Sequence, residues 1–196
     1  KIMADGTLKV GTITTSSGSG TITLGQSGET VDMSNATQTG VGGVNTPAFE
    51  AYLSSTQGIS DNTFTKISIN AEVFDTASAY DNSSNYRFTV PSGQGGKYFV
   101  YGMAQCYASY DANASSRLAI YKNGSRVIGP SGDYRHDGTR VSPLSVHTVM
   151  VLSASDYLEL YALIDVTANS PEIVGAADTL DGGNYGTRFG AYKIIE

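Results

Sequence analysis

From residue 47 onward the chain is a series of strand-length windows in which apolar and polar residues alternate. Gly, Asn, Asp, Ser and Pro interrupt them every ~8 to 15 residues, the spacing of a sandwich or barrel of short strands. The windows are Pro47–Leu53, Phe64–Phe74, Tyr86–Val90, Tyr98–Tyr110, Arg117–Tyr121 with Val127-Ile128, Val141–Leu152, Tyr157–Val166 and Thr187–Ile195. In the second, Phe64, Ile67, Ile69, Ala71 and Val73 alternate with Thr65, Lys66, Ser68, Asn70 and Glu72, which predicts one half-buried strand. Pro91, with no N–H to donate, closes the third. No window carries apolar residues at helical spacing. The pattern predicts an all-β head, an antiparallel two-sheet jelly-roll sandwich of about eight to ten strands.

Two windows say more than their boundaries. Lys122-Asn123-Gly124-Ser125 predicts a two-residue type I′ hairpin turn, because both central positions need positive φ. Tyr98–Tyr110 has Tyr98, Val100, Gly102, Ala104, Cys106 and Ala108 on one face and Phe99, Tyr101, Met103, Gln105 and Tyr107 on the other. Both faces are largely apolar, as in a strand covered on both sides. A sandwich covers one side only. The second face therefore asks for another chain, and Tyr101, Met103 and Tyr107 are the candidate contacts with it.

Composition divides the chain. All of its 13 Tyr and 6 Phe lie at Phe49 or beyond, and there is no Trp, so residues 1–46 have no aromatic residue to bury. This segment is rich in Gly, Ser and Thr and repeats a short scrap: Gly6-Thr7-Leu8, Gly11-Thr12-Ile13, Gly20-Thr21-Ile22-Thr23-Leu24. Its β-branched residues favour short extended or β pieces that gain order from sister chains or a larger assembly, rather than a plain spacer. The expected organisation is residues 1–46 as an attachment or intertwining segment and 47–196 as the head. Met3-Ala4-Asp5-Gly6 reads as a cytoplasmic start with no signal peptide, so the four Asn-x-Ser/Thr patterns carry no weight.

Charge removes further classes. A formal net charge of −6 leaves no basic stripe for nucleic acid. No run of about 18 apolar residues predicts membrane insertion. The single cysteine, Cys106, sits among small residues of the central window and reads as packing. Ser145 and His147 share a strand face, but nothing supplies an orienting acid or an oxyanion hole, and no acidic pair stands out for sugar cleavage. No enzymatic activity is expected. Calcium is the one cofactor with candidate ligands: Asp178 and Asp181, with Asn184, in the last loop, and Asp111 with Asn113 after the central strand. Tyr110, Tyr134, Tyr157 and Tyr185 fall at strand ends or in loops, where an amphipathic ring suits a sugar or protein partner. Tyr110, Tyr134, Arg135, His136, Arg140 and Tyr185 form the candidate receptor surface, with Asp137 beside them.

Six local motifs occur in a consistent order: Pro47-Ala48-Phe49-Glu50-Ala51, Tyr80-Asp81 before Phe88-Thr89-Val90-Pro91, Gly96-Lys97-Tyr98, Tyr121-Lys122-Asn123-Gly124, Leu152 to Leu160, and Phe189-Gly190-Ala191-Tyr192. This series resembles the complement 1q globular domain, within the tumour-necrosis-factor superfamily of trimeric jelly rolls. The sequence departs from the family at Val100, where a second aromatic is usual, and at Ser155-Asp156, where Gly-Asp is usual. The Gly-Thr-Ile-Thr leader is similar to those ahead of such domains in bacteriophage fibre and virion-surface proteins. The resemblance implies a homotrimer, with calcium in some relatives. It also implies a virion fibre or capsid or tail decoration, made in the host cytoplasm and displayed on the virion surface. Residues 1–46 would bind other virion proteins and the head would engage a host-surface glycan or protein. A purely structural cement protein is the alternative, and a polysaccharide-degrading fibre a third reading.

Overall fold

Side chains alternate across a pleated strand, so a chain with one apolar face per window buries those faces by stacking two sheets. The computed structural model describes residues 13, 27, 28, 30, 45–108, 112–129, 131–133, 141–177 and 186–194, with the backbone alone for 131–133. The chain divides into two compact units, Lys1–Gly42 and Gly43–Glu196. The described strands all lie in the second. They are β1 (Ala48–Tyr52), β2 (Gln57–Gly58), β3 (Thr65–Lys66), β4 (Ala71–Asp75), β5 (Tyr80–Asp81), β6 (Arg87–Thr89) and β7 (Gly96–Tyr107), followed by β8 (Asn113–Lys122), β9 (Ser125–Ile128), β10 (Ser131–Asp133), β11 (Val141–Leu152), β12 (Tyr157–Val166), β13 (Glu172–Ile173) and β14 (Arg188–Lys193).

They form two antiparallel sheets. In sheet one, β11, β7, β14, β1 and β4 lie side by side, and β13 with β2 continues the row beyond β14 at the Tyr107 end of β7. In sheet two, β12 lies between β8 on one side and β3 and β6 on the other, with β9 and β10 outside β8 and β5 outside β6. The described residues make the expected all-β, two-sheet sandwich.

Aromatic rings fill the space between the sheets. Phe49 stacks on Tyr80 and Phe88, with centroids 4.8 and 4.9 Å away, and takes Phe189 edge-on at 5.3 Å. Leu118, Ile120, Leu158, Leu160 and Ile164 face them from sheet two, all fully buried. Burying such a side chain contributes roughly 1.5–3 kcal/mol. The two core tyrosines place their hydroxyls on carbonyls: Tyr80 donates to Ile69 at 3.0 Å and Tyr98 to Gln94 at 2.6 Å. Burial pushes the Tyr80 phenol above its usual range. A small polar network joins the sheets, with the Asn113 amide donating to Ser142 at 2.8 Å and to Ser116 at 3.1 Å. Asn113 is therefore a buried cross-sheet strut, not a calcium ligand at a loop, because its amide is occupied inside the sandwich.

The hairpin turn forms as expected: Lys122 pairs with Ser125, and Asn123 and Gly124 have φ of 52° and 76°. The window Phe64–Phe74 does not form one strand. It crosses from sheet two, where it contributes β3, to sheet one, where it contributes β4. The Gln57 side chain satisfies the backbone on either side of Ile67, donating to the Lys66 carbonyl at 2.9 Å and accepting from the Ser68 amide at 2.8 Å. Pairing stops there, Ile67 and Ile69 both turn into the core, and Val73 and Phe74 end up on an outer strand about half exposed (51% and 46%). Tyr80-Asp81, between the second and third windows, pairs with β6 as a further short strand.

Asp156 closes the turn between β11 and β12. It pairs with Lys122 at 2.8 Å and accepts from the Ser153 amide at 2.8 Å and the Asn123 side chain at 2.7 Å. These donors, Lys122 foremost, hold its carboxyl at about 2. A depressed carboxyl pKa stabilises the fold above the ordinary value and loses that effect as pH falls through the folded one. Asp156→Ala is expected to cost about 1–2 kcal/mol at neutral pH. The loss should shrink towards zero as pH drops from the ordinary carboxylate range to about 2. Urea denaturation across that range checks this, and a pH-independent loss would contradict it.

Candidate functional site

Stacking the sheets uses the inner face of sheet one and leaves its outer face to be explained. Along β7 that outer face carries Phe99, Tyr101, Met103, Gln105 and Tyr107, and along β11 it carries Pro143, Ser145, His147, Val149 and Val151. The register aligns them into rows across the sheet. His147, Tyr101, Gly190 and Glu50 form one row; Val149, Phe99, Tyr192 and Ala48 form the next; Ser145, Met103, Arg188 and Tyr52 form a third.

The middle row is locked by a missing side chain. A Cβ on Gly190 would lie 2.3 Å from the Tyr101 ring, so this ring lies across β14 only because residue 190 has none. Its hydroxyl reaches over that strand to donate to Glu50 Oε2 at 2.6 Å, and Arg188 pairs with the other oxygen of the same carboxylate. Burial first, and the Glu50 carboxylate second, push the Tyr101 phenol above its usual range. The Arg188 guanidinium sits 5.9 Å above the Tyr52 ring. Phe99 anchors the apolar row, with centroids 5.4 Å from Tyr192, 6.0 Å from Tyr101 and 6.2 Å from His147.

The result is a flat aromatic and aliphatic surface on a rigid sheet. Met103 is 46% exposed, Val149 55%, Val151 67% and Tyr192 36%. A groove of about 340 Å³ runs over it between Met103, Pro143, Leu144 and Arg188. Among the described strands, β11 pairs with β7 alone, so its other edge is open. There Ile128 and Gly129 stand beside Ser145, Val146 and His147 around a second hollow, and Val127 is 50% exposed. The apolar surface thus turns the corner from the face of sheet one onto the β11 edge.

The structure brings two of the three candidate contacts into this patch, Tyr101 and Met103. Tyr107 shares the face but lies at its far end, opposite Val141 and Glu172. Tyr110, Tyr134, Arg135, His136, Asp137, Arg140 and Tyr185, and the calcium candidates Asp178, Asp181, Asn184 and Asp111, lie outside the described residues. Tyr157 packs under the Arg87 guanidinium, 4.4 Å from its ring. Ser145 and His147 do share a face, where His147 packs beside Phe99. Burial pushes the Cys106 thiol up to about 12, which makes it a poor nucleophile. Among the described residues no three His, Cys, Asp or Glu side chains cluster as a metal site. Sequence reasoning missed Glu50, Arg188, Gly190 and Tyr192, because only strand register sets them beside Tyr101. Val149 and Val151 carried a signal, as apolar residues on the outward side of their window.

Solved structures share this fold. The chain is similar to the Eiger TNF of S. frugiperda (TM-score 0.52, 13% identity, 76% of this chain and 92% of that one). It is also similar to the globular domain of zebrafish complement 1qA (TM-score 0.51, 13% identity, 76% of this chain and 98% of that one). No protein-family model and no curated protein sequence matches the chain. The likeness is one of fold: the described head is a jelly roll of the complement 1q and tumour-necrosis-factor type.

Gly190→Ala is expected to displace the Tyr101 ring and cost about 1–3 kcal/mol. Removing the ring by Tyr101→Ala should relieve most of that cost, so the double variant falls short of the sum of the singles. A double-mutant cycle by chemical denaturation checks the coupling; additive losses would contradict the contact.

Proposed function

We propose that this protein is a homotrimeric attachment head whose chains associate through the outer face of sheet one. The observation that carries this reading is the double apolar face of β7: its inner residues are buried by sheet two, while Phe99, Tyr101 and Met103 outside have no second sheet over them among the described residues. The patch continues round the β11 edge, so it offers a face and an edge that are not copies of each other. Contacts between unlike surfaces are heterologous and form a ring when the rotation from copy to copy closes. Three is the number that the complement 1q resemblance favours. An obligate interface of this kind buries roughly 2,000 Å² or more.

The activity proposed is binding, not catalysis. Residues 1–46 hold the head to a larger assembly, and the Gly-Thr-Ile-Thr repeats favour a virion surface as that assembly. Exposed on the particle, the head engages a host-surface glycan or protein. The lack of any aromatic residue before Phe49 supports the anchoring role, since such a segment gains order by packing on other chains.

Sedimentation equilibrium of the intact chain is expected to give about three times the 20.5 kDa chain mass. Met103→Asp, which places a charge in the patch, should lower it towards one chain mass with the β-sheet circular dichroism retained. A wild-type mass of a single chain, or an unchanged mass in the variant, would overturn the assembly. Imaging of the parent particle is expected to place residues 1–46 against another protein and the head outward. A head buried within the particle would overturn the attachment role.

A further inference from the structure

We propose that the opposite face of the head, the outer face of sheet two, is a platform for an acidic oligosaccharide. Phe64, Tyr121 and Tyr161 form its floor, and Arg126 and Arg87 hold the acid groups. The proposal deepens the attachment reading and rests on it for its purpose, while its chemistry belongs to sheet two alone.

A sheet face that only meets water alternates apolar-in with polar-out. The outer face of sheet two does not. Tyr121 on β8 stacks on Tyr161 on β12, with centroids 4.0 Å apart and planes 26° apart. Phe64, from the turn before β3, adds a third ring 6.1 Å from Tyr121. All three rings are half-buried, so they are fixed in place and still offer surface. Aromatic floors take the C–H faces of sugar rings while losing few rotamers, and Tyr121 adds a hydroxyl for the sugar's own hydroxyls, that of Tyr161 being bonded to Glu159.

The charges on this face select an anion. Arg126 lies opposite Tyr121 in the β8–β9 register and holds its guanidinium 5.1 Å above the Phe64 ring. Arg87 does the same over Tyr157 at 4.4 Å. A guanidinium held over a ring face uses that face for the cation–π contact and can keep in-plane N–H groups for a carboxylate or sulfate, gripped in bidentate fashion. The carboxylate nearest the floor, Glu159, is buried and neutralised by Lys66 at 3.0 Å, whose ammonium also donates to the Asn85 carbonyl. Across the sheet, Lys66, Arg87, Arg117 and Arg126 outnumber Glu159, Asp165 and Asp81, the last opposite Arg87 in the β5–β6 register and held by the Ser83 and Ser84 amides, in a chain whose formal net charge is −6. From β9 to β6 the platform crosses β8 and β12, about 14 Å at the usual strand spacing. That length suits several linked sugars rather than one. Lying on the far side of the sandwich from the aromatic patch of sheet one, the platform stays open when chains associate.

The test is titration calorimetry of the intact chain with a hexamer of galacturonate, a hexamer of neutral glucose and a single-stranded oligonucleotide. Saturable binding to the uronate is expected, weakening as sodium chloride rises. Tyr121→Leu, which keeps apolar bulk, and Arg126→Gln, at an exposed position, should each weaken it roughly tenfold with the circular dichroism unchanged. No saturable uronate binding, equal binding of the neutral hexamer, or preferred binding of the oligonucleotide would each overturn the proposal. Sedimentation in the same buffer separates the two readings: a trimer that binds no uronate defeats this proposal alone, and a monomer that binds it defeats only the assembly.

Discussion

Strand β7 is the constraint on which the rest of the molecule depends. Its inner row, Tyr98, Val100, Ala104 and Cys106, is wholly buried against sheet two, and its outer row is nearly as apolar. One sandwich satisfies only the first. Three strands lie against β7 in register, β11 on one side with β13 and β14 on the other, so the side chains of that outer row are ordered whether or not anything covers them. At roughly 25 cal/mol for each Å² of apolar surface left in water, an uncovered patch of this extent is a standing cost that a second chain removes.

The two outer faces of the head answer this in different ways. On sheet one, the charged groups pair with one another: Glu50 takes Arg188 on one oxygen and the Tyr101 hydroxyl on the other. That leaves little polar appetite and a flat apolar surface suited to protein. On sheet two, Lys66 pairs with Glu159 at the centre, and Arg87 and Arg126 hold their guanidinium groups over aromatic rings. That surface is suited to a ligand bearing acid groups. The proposed assembly uses the first face and the proposed ligand the second.

Much of this was legible in the sequence where the code is local. The boundaries Val141–Leu152 and Tyr157–Val166 match β11 and β12, and Asn123-Gly124 turns as its positive-φ preference dictates. The double apolar face of β7 also followed from period two alone. What stayed hidden depends on distant partners. Alternation at Ile67 and Ile69 reads as one strand face, yet the Gln57 side chain breaks the ladder there and the segment changes sheets. Glu50 and Arg188 stand 138 positions apart and meet only through the pairing of β1 with β14. The stacking of Tyr121 on Tyr161 is a diagonal contact across β8 and β12. Tyrosine by itself does not distinguish such a stack from boundary packing, and the receptor candidates read from the sequence lie outside the described residues.

The central claim is that the outer face of sheet one is covered by other copies of the chain. Hydroxyl-radical footprinting of the native protein, with oxidation read by mass spectrometry, tests it directly. Met103 and Tyr192, 46% and 36% exposed on one chain, are predicted to be protected, while Tyr121 and Tyr161 on the far face react. Oxidation of Met103 as fast in the native protein as in the urea-unfolded chain would contradict the account.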